Sequence, residues 1–173
     1  METTKLLPSE LKIFNFAKKE VSLFGEYLIS SLPRISEIAI NKEDRVKVDL
    51  SFYLENDKTP CVKGIIELNI VLECQRCLEA LQKHLKVNFN LAFVRNEQQA
   101  EELDSQYEIY VIKEDELATI DLITDEILLS LPMAPSHNYE CNLNKDKQEI
   151  VEEKCENPFT ILKNIKIADV GKE

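Results

Sequence analysis

The sequence contains few of the residues that mark several classes of protein. It holds only 3 glycines and 6 prolines among 173 residues, which excludes collagen-like and linker-like chains. It has no run of about 18 apolar residues, the length that a membrane-spanning helix requires. Its N-terminal segment lacks the charged and apolar stretches of an export signal, so we expect a cytoplasmic protein. Apolar residues make up 44% of the chain, enough to bury one core, and we expect a single domain over residues 1–173.

Motifs of the common enzyme classes are missing as well. The chain has no glycine-rich phosphate loop, no G-x-S-x-G nucleophile turn and no H-E-x-x-H zinc motif. Carboxylates are abundant, but nothing in the sequence marks two of them as a general acid and a general base. We therefore predict a protein that is not an enzyme and requires no cofactor.

Positive charge is scarce and localised. Lys and Arg number 21 against 32 Asp and Glu, which gives a net charge of −11 and argues against general nucleic-acid binding. Residues 74–95 are the one basic window, and residues 96–131 hold most of the acidic excess. The acidic block could bind a partner with large positive patches, such as a ribosomal or other RNA-binding protein, or it could be a solvated surface that keeps the protein soluble. The residues predicted to contact RNA or such a partner are Arg76, Lys83, Lys86, Arg95, Glu97, Glu101, Glu102 and Asp104.

Hydrophobic patterning predicts an α+β fold. Apolar residues alternate with polar ones over residues 46–54, 62–74 and 85–93, which is typical of half-buried strands. Residues 56–60 predict a reversal between the first two strands, and residues 107–112 predict a fourth strand. We expect an antiparallel sheet, either open or curled into a barrel-like form. A packed amphipathic helix is predicted over residues 121–131, capped by Asp121 and stopped by Pro132.

The two ends of the chain are less regular than the predicted core at residues 45–135. Within residues 1–44, short helices are predicted in residues 15–27 and 32–38, although Gly25 and Pro33 interrupt the periodicity. Residues 136–173 are mostly polar but end in a small apolar cluster around Phe159. We expect this cluster either to dock on the core or to bind a partner, and docking avoids an exposed apolar patch.

Five cysteines carry the clearest chemical motif. In a reducing compartment they indicate thiols, metal ligands or redox groups, and we expect no structural disulfide. Cys74 and Cys77 have the two-residue spacing of a zinc-binding pair, and His137 with Cys141 is the best second pair for tetrahedral zinc. The alternative interpretation treats Cys74 as a small apolar residue of a strand and Cys77 as a turn residue.

Redox catalysis is a further interpretation of the same pair. A thioredoxin-type Cys-x-x-Cys motif opens a helix inside a βαβ unit, where the helix dipole favours the thiolate. Here the pair follows a strand of antiparallel type, and another strand is predicted soon after it. A small thiol or zinc protein that uses Cys74 and Cys77 is nevertheless the alternative functional hypothesis.

Four unlike motifs occur in one order along most of residues 45–165. The first is the segment LECQRCLE at residues 72–79, and the second is the acidic stretch that leads to residues 120–122. The third is DEILLSLP at residues 125–132, followed by Pro135, His137 and Cys141, and the fourth is NPFTILK at residues 157–163. In these motifs the sequence resembles the YceD family, the large ribosomal RNA subunit accumulation proteins.

This resemblance implies a non-enzymatic factor that supports synthesis, processing or accumulation of 23S rRNA and assembly of the large ribosomal subunit. The implied partners are precursors of that subunit, through a basic ribosomal protein, 23S rRNA or both. Some relatives carry extra cysteines that would complete a four-thiol site. Here the corresponding segment offers His137 and Cys141 instead.

Overall fold

The computed structural model describes residues 7–100, 103 and 106–141. Strands and helices follow one another in a mixed order. The elements are β1 (Glu10–Lys12), α1 (Ile13–Lys18), β2 (Ser22–Leu28), a 3-10 turn (Ile29–Ser31), α2 (Pro33–Ile38), β3 (Arg45–Glu55), β4 (Thr59–Glu73), β5 (Ala80–Val94), α3 (Glu97–Ala100), β6 (Glu108–Val111), β7 (Glu116–Ala118) and α4 (Thr119–Ser130). In the described part of the chain, no helix is long and apolar enough to cross a membrane.

The main sheet is open and has five strands in the order β2-β3-β4-β5-β6. Strands β3, β4 and β5 confirm the predicted alternation, and β5 begins at Ala80, five residues before the predicted start. Strands β2 to β5 pair in antiparallel fashion, whereas β6 pairs with β5 in parallel. The connection through residues 95–107 makes this possible, because parallel neighbours need a crossover that a tight turn cannot supply.

The core lies on one face of this sheet. Strand β3 buries its even-numbered positions from 46 to 52, β4 those from 60 to 72, and β5 its odd-numbered positions from 85 to 93. Cys61, Ala92 and Val94 are buried as well. Ile13 and Ala17 of α1, Ile35 of α2 and Ile123 of α4 complete the same core. The predicted α+β fold with a packed helix is therefore correct.

The N-terminal region differs most from the prediction. The helix expected within residues 15–27 is confined to α1, and the rest of that range forms the edge strand β2. An edge strand with one unpaired side has a weak alternation, and Phe24 and Leu28 of β2 are exposed apolar residues that obscure it. The second predicted helix is correct as α2, which Pro33 starts in the first-turn position that proline favours.

Helix α4 occupies nearly the predicted range, but its start differs. Asp121 does not cap the helix; Ala118 occupies the N-cap position, and no side chain caps it. Thr119 instead donates a hydrogen bond to the carbonyl of Pro8, which ties the helix start to the N-terminal segment. The predicted turn at residues 56–60 is also shorter, because Thr59 and Pro60 already belong to β4. The apolar cluster around Phe159 lies outside the described residues.

A close approach between strands makes Gly64 a sensitive position. Gly64 of β4 lies opposite Phe89 of β5, and a β-carbon at residue 64 would come within 1.9 Å of the Phe89 ring. Phe89 is buried, so its ring can move only by disturbing the core. Overpacking of this kind costs about 2 kcal/mol. We expect Gly64→Ala to lower the free energy of unfolding by about that amount in urea titrations, and Phe89→Leu in the same chain to restore part of it. An unchanged midpoint would contradict this packing.

Candidate metal centre

Four potential metal ligands meet at the end of the β4–β5 hairpin. The donor atoms of Cys74, Cys77, His137 and Cys141 all lie within 4.8 Å of one another. The Cys74 and Cys141 sulfurs are 3.7 Å apart, and the Cys77 sulfur is 3.4 Å from Nδ1 of His137. These are the residues that the sequence singled out as two pairs, separated by about sixty positions.

The first pair is held by a tight turn between β4 and β5. The Cys74 amide donates to the Glu79 carbonyl at 2.9 Å, and the Leu78 amide donates to the Cys74 carbonyl at 2.8 Å. Leu78 has a φ of 61°, a left-handed conformation that costs a residue with a β-carbon roughly 1 kcal/mol. The hairpin and its hydrogen bonds hold the chain in this unfavourable conformation, and the turn directs both thiols to one point.

The second pair reaches the turn through the segment that follows α4. The Gln75 amide donates to the Pro135 carbonyl at 2.8 Å, which fixes this segment beside the cysteine turn. Arg76 donates to the Tyr139 carbonyl at 3.3 Å, and the Tyr139 ring stacks on the His137 ring with centroids 4.8 Å apart. Sequence spacing gave no sign of the contributions of Pro135 and Tyr139, because both act through backbone carbonyls or ring stacking.

A backbone contact fixes the tautomer of His137. Its Nε2 lies 3.3 Å from the Ala80 carbonyl, which can only accept a hydrogen bond. Nε2 therefore carries the proton, and the lone pair of Nδ1 faces the thiols. An imidazole oriented in this way by a backbone carbonyl is the usual arrangement of a metal-binding histidine.

The environment favours a thiolate at Cys74. Burial by itself raises the pKa of this thiol, but the backbone N–H groups of Cys77, Arg76 and His137 and the Cys77 side chain lower it, for a net pKa of about 6. The pKa of Cys77 is raised, first by burial and then by its neighbours Cys74 and Cys141. A ready thiolate beside further sulfur donors and an imidazole suits a thiophilic cation, which displaces any remaining protons when it binds.

The site geometry differs from that of a redox pair. Residues 74–79 form a hairpin turn, and the element after them is strand β5 rather than a helix. The dipole that activates a thioredoxin-type cysteine is therefore missing from this place. The four cysteines that the structure describes are free thiols, and Cys155 lies outside the described residues. Cys61 is buried far along β4 from the other thiols, and burial raises its pKa to about 11.

The basic residues predicted to contact RNA do not share one face. Lys83 and Lys86 lie on opposite faces of β5, because they are three residues apart on a strand. Lys86 is paired with Glu67 at 2.6 Å, and Arg95 with Asp115 at 2.6 Å. Arg76 lies at the metal centre. Contact of these residues with RNA stays a prediction.

The acidic block is only partly described. Glu101, Glu102 and Asp104 lie outside the described residues, and of Glu97 only the backbone, in α3, is described. Several other carboxylates of the block are engaged within the protein: Asp115 with Arg95, Glu116 with Lys12, and Asp125 with Arg34. Binding of a partner by the acidic residues likewise stays a prediction.

Comparison with known proteins places the chain among its relatives. The family model described as "Large ribosomal RNA subunit accumulation protein YceD" matches residues 62–166, which include all four residues of the candidate metal centre. A curated protein of Haemophilus influenzae, named "Large ribosomal RNA subunit accumulation protein YceD", is 34% identical over 169 residues. The match covers 92% of this chain and 96% of that protein. No solved structure matches the chain significantly. On both the family model and this relative, the chain belongs to the YceD family.

Proposed function

We propose that this protein is a non-enzymatic cytoplasmic factor that supports accumulation of 23S rRNA and assembly of the large ribosomal subunit. The observation that carries the proposal is the similarity, over nearly the whole of both chains, to a protein named for large ribosomal RNA accumulation. Precursors of the large subunit are the proposed partner. The sequence contributes no catalytic motif that would favour an enzyme instead.

We propose further that the Cys74, Cys77, His137 and Cys141 cluster binds zinc in a structural role. In tetrahedral zinc sites the sulfurs lie about 2.3 Å from the metal, so neighbouring sulfurs lie about 3.8 Å apart. The 3.7 Å between Cys74 and Cys141 fits this value, and the Cys77 and His137 donors are similarly close. Four protein ligands fill the tetrahedron and leave no position for a substrate, which supports a structural rather than a catalytic ion.

Protein contacts are the proposed route to the ribosome. Direct binding to rRNA would depend on a few cations, of which Lys86 and Arg95 already have carboxylate partners. Each phosphate contact adds only a modest and salt-dependent increment of affinity. A protein of net charge −11 is attracted instead to the basic proteins of the large subunit.

Depletion of the protein tests the proposed function. We expect the ratio of 23S to 16S rRNA to fall when the protein is withdrawn, and to recover when the wild-type chain is supplied again. The two rRNAs are measured in the same total RNA, so growth rate affects both. An unchanged ratio in cells that contain none of the protein would contradict the proposal.

A further inference from the structure

An open apolar groove lies beside the metal centre. It has a volume of about 700 Å³ and runs between the end of α2, the end of β4 and the segment after α4. Ile40 is 56% exposed in its wall, Ile38 is 44% exposed, and Met133 is fully exposed. Large apolar side chains grouped on a surface usually mark a contact with another molecule. Because these walls are open to solvent, they suit a docked chain segment better than an enclosed small molecule.

The walls of the groove are fixed before anything binds. The Ile40 amide donates to the Val71 carbonyl of β4 at 2.8 Å, which holds the segment after α2 against the sheet. An ion pair between Arg34 and Asp125 joins α2 to α4 on the other side. Gln75 and Pro135, joined by their backbone hydrogen bond, form the end next to the metal centre. A preformed groove keeps the entropic cost of docking low.

The charge around the groove selects the occupant. Its charged lining residues are Glu37 and Glu73, and neither forms a salt bridge within the part of the chain that is described. RNA phosphates would be repelled by these carboxylates, and a second copy of a chain with net charge −11 would be repelled as a whole. An apolar segment flanked by lysine or arginine matches both the walls and the rim.

We propose that this groove docks an apolar segment flanked by lysines or arginines, carried by a basic protein partner. The proposal rests on the proposed function, since it names the surface that would receive a basic protein of the large subunit. It differs from the sequence prediction, which assigned that role to the acidic block at residues 96–131. The groove uses buried apolar contact for affinity and the two carboxylates for selection.

A pair of synthetic peptides provides the probe. Both are amphipathic, with leucines on one face, and the other positions are all lysine in one peptide and all glutamate in the other. We expect the lysine peptide to bind the full-length protein in fluorescence anisotropy, and the glutamate peptide to bind at least about tenfold more weakly. Ile40→Ser and Glu37→Lys should each weaken binding of the lysine peptide about tenfold. These side chains are exposed, so the variants should fold normally.

Asp49→Lys serves as the matched charge variant, because Asp49 is exposed on the opposite face of β3. Asp49→Lys makes the same kind of charge change as Glu37→Lys and should alter lysine-peptide binding less than about twofold. Equal loss of lysine-peptide affinity in Asp49→Lys and in Glu37→Lys would mean that only the net charge matters, and it would overturn the proposal. Equal affinity for both peptides would also overturn it. So would self-association or RNA binding that Ile40→Ser abolishes.

The peptide assay tests the groove and the depletion assay tests the proposed function, so either proposal can fail without the other. A fall in 23S rRNA on depletion, together with no binding of the lysine peptide, would overturn the groove proposal and leave the proposed function in place. Groove-dependent binding of the lysine peptide with an unchanged rRNA ratio would overturn the proposed function and leave the groove as a docking site for basic segments.

Discussion

Replacing Cys74 with serine is expected to remove the bound metal. Protein purified without a histidine tag should contain about one zinc per chain, and Cys74→Ser should contain almost none. A serine hydroxyl keeps its proton at neutral pH, so the site loses the thiolate that the surrounding N–H groups stabilise. Zinc binds the folded chain, in which the four ligands lie together, and not the unfolded chain, which has no such site. Loss of zinc should therefore lower Tm by about 10 °C. Elemental analysis and thermal unfolding provide the two measurements.

Cys61→Ala is the matched control for this experiment. Cys61 is a buried thiol of the same protein, but it lies outside the cluster. Its replacement should leave the zinc content unchanged. Acidification should release zinc from the wild-type protein, because protons compete for the three thiolates and for Nδ1 of His137. Wild-type protein that binds no zinc when refolded with an excess of the metal would contradict the structural-zinc proposal.

The zinc experiment also separates the two interpretations of the cysteine pair. A thiol enzyme would lose its activity in Cys74→Ser whether or not its Tm changed. If the site is structural, Cys74→Ser should lower the Tm and the zinc content together. Any fall in 23S rRNA would then follow from unfolding of the turn. Chelation of the wild-type protein should therefore reproduce the Tm of Cys74→Ser, a result that a redox role does not require.

The central strands could be predicted from sequence because each buries one face. Alternation with period two is strong in β3, β4 and β5, where neighbours on both sides fix the pleat. The edge strands gave weaker signals. Strand β2 contains Gly25 and exposed apolar residues, and nothing local distinguishes the parallel pairing of β6 from an antiparallel one. Topology of this kind depends on the crossover through residues 95–107.

The sequence predicted the four ligands of the candidate metal centre as one tetrahedral set, but it did not show how the fold brings the two pairs together. The spacing of Cys74 and Cys77 indicated one pair, and that of His137 and Cys141 indicated another. Their meeting depends on a hydrogen bond between the Gln75 amide and the Pro135 carbonyl, which no side-chain pattern encodes. The apolar groove was not predicted either, since Ile40 and Met133 come from segments about ninety residues apart that only the fold brings together.

Helix α4 buries a wider face than its apolar stripe alone. Its apolar residues Ile123 and Ile127 are buried, and the helix also buries Leu122 and Glu126. Leu122 and Glu126 are four residues apart, so they lie in one stripe of the helix, next to the stripe that contains Ile123 and Ile127. Glu126 belongs to the acidic block at residues 96–131, yet its exposed fraction is only 6%. A carboxyl group in such a position affects the stability of the fold.

Replacing Glu126 with glutamine is expected to stabilise the protein above neutral pH. Burial raises the pKa of Glu126 from 4.5 to about 7, and the nearby carboxylates of Glu108 and Asp125 add to the effect. The folded state therefore holds this proton more tightly than the unfolded state does. The stability that results is complete below pH 4.5 and is lost as the pH rises to about 7. The loss for the wild-type protein amounts to about 3 kcal/mol over that interval.

Glutamine keeps the shape of the protonated side chain at every pH, so the variant should not lose this stability. Urea unfolding at a series of pH values should show the two proteins nearly equal at about pH 4.5 and the variant more stable by about 3 kcal/mol at about pH 8. Both proteins share the same thiols and histidines, so the difference between them isolates residue 126. Asp121→Asn removes a carboxylate from the exposed side of the same helix and should not reproduce the effect. Parallel pH profiles for wild type and Glu126→Gln would mean that the buried carboxyl group is charged and compensated in the folded state.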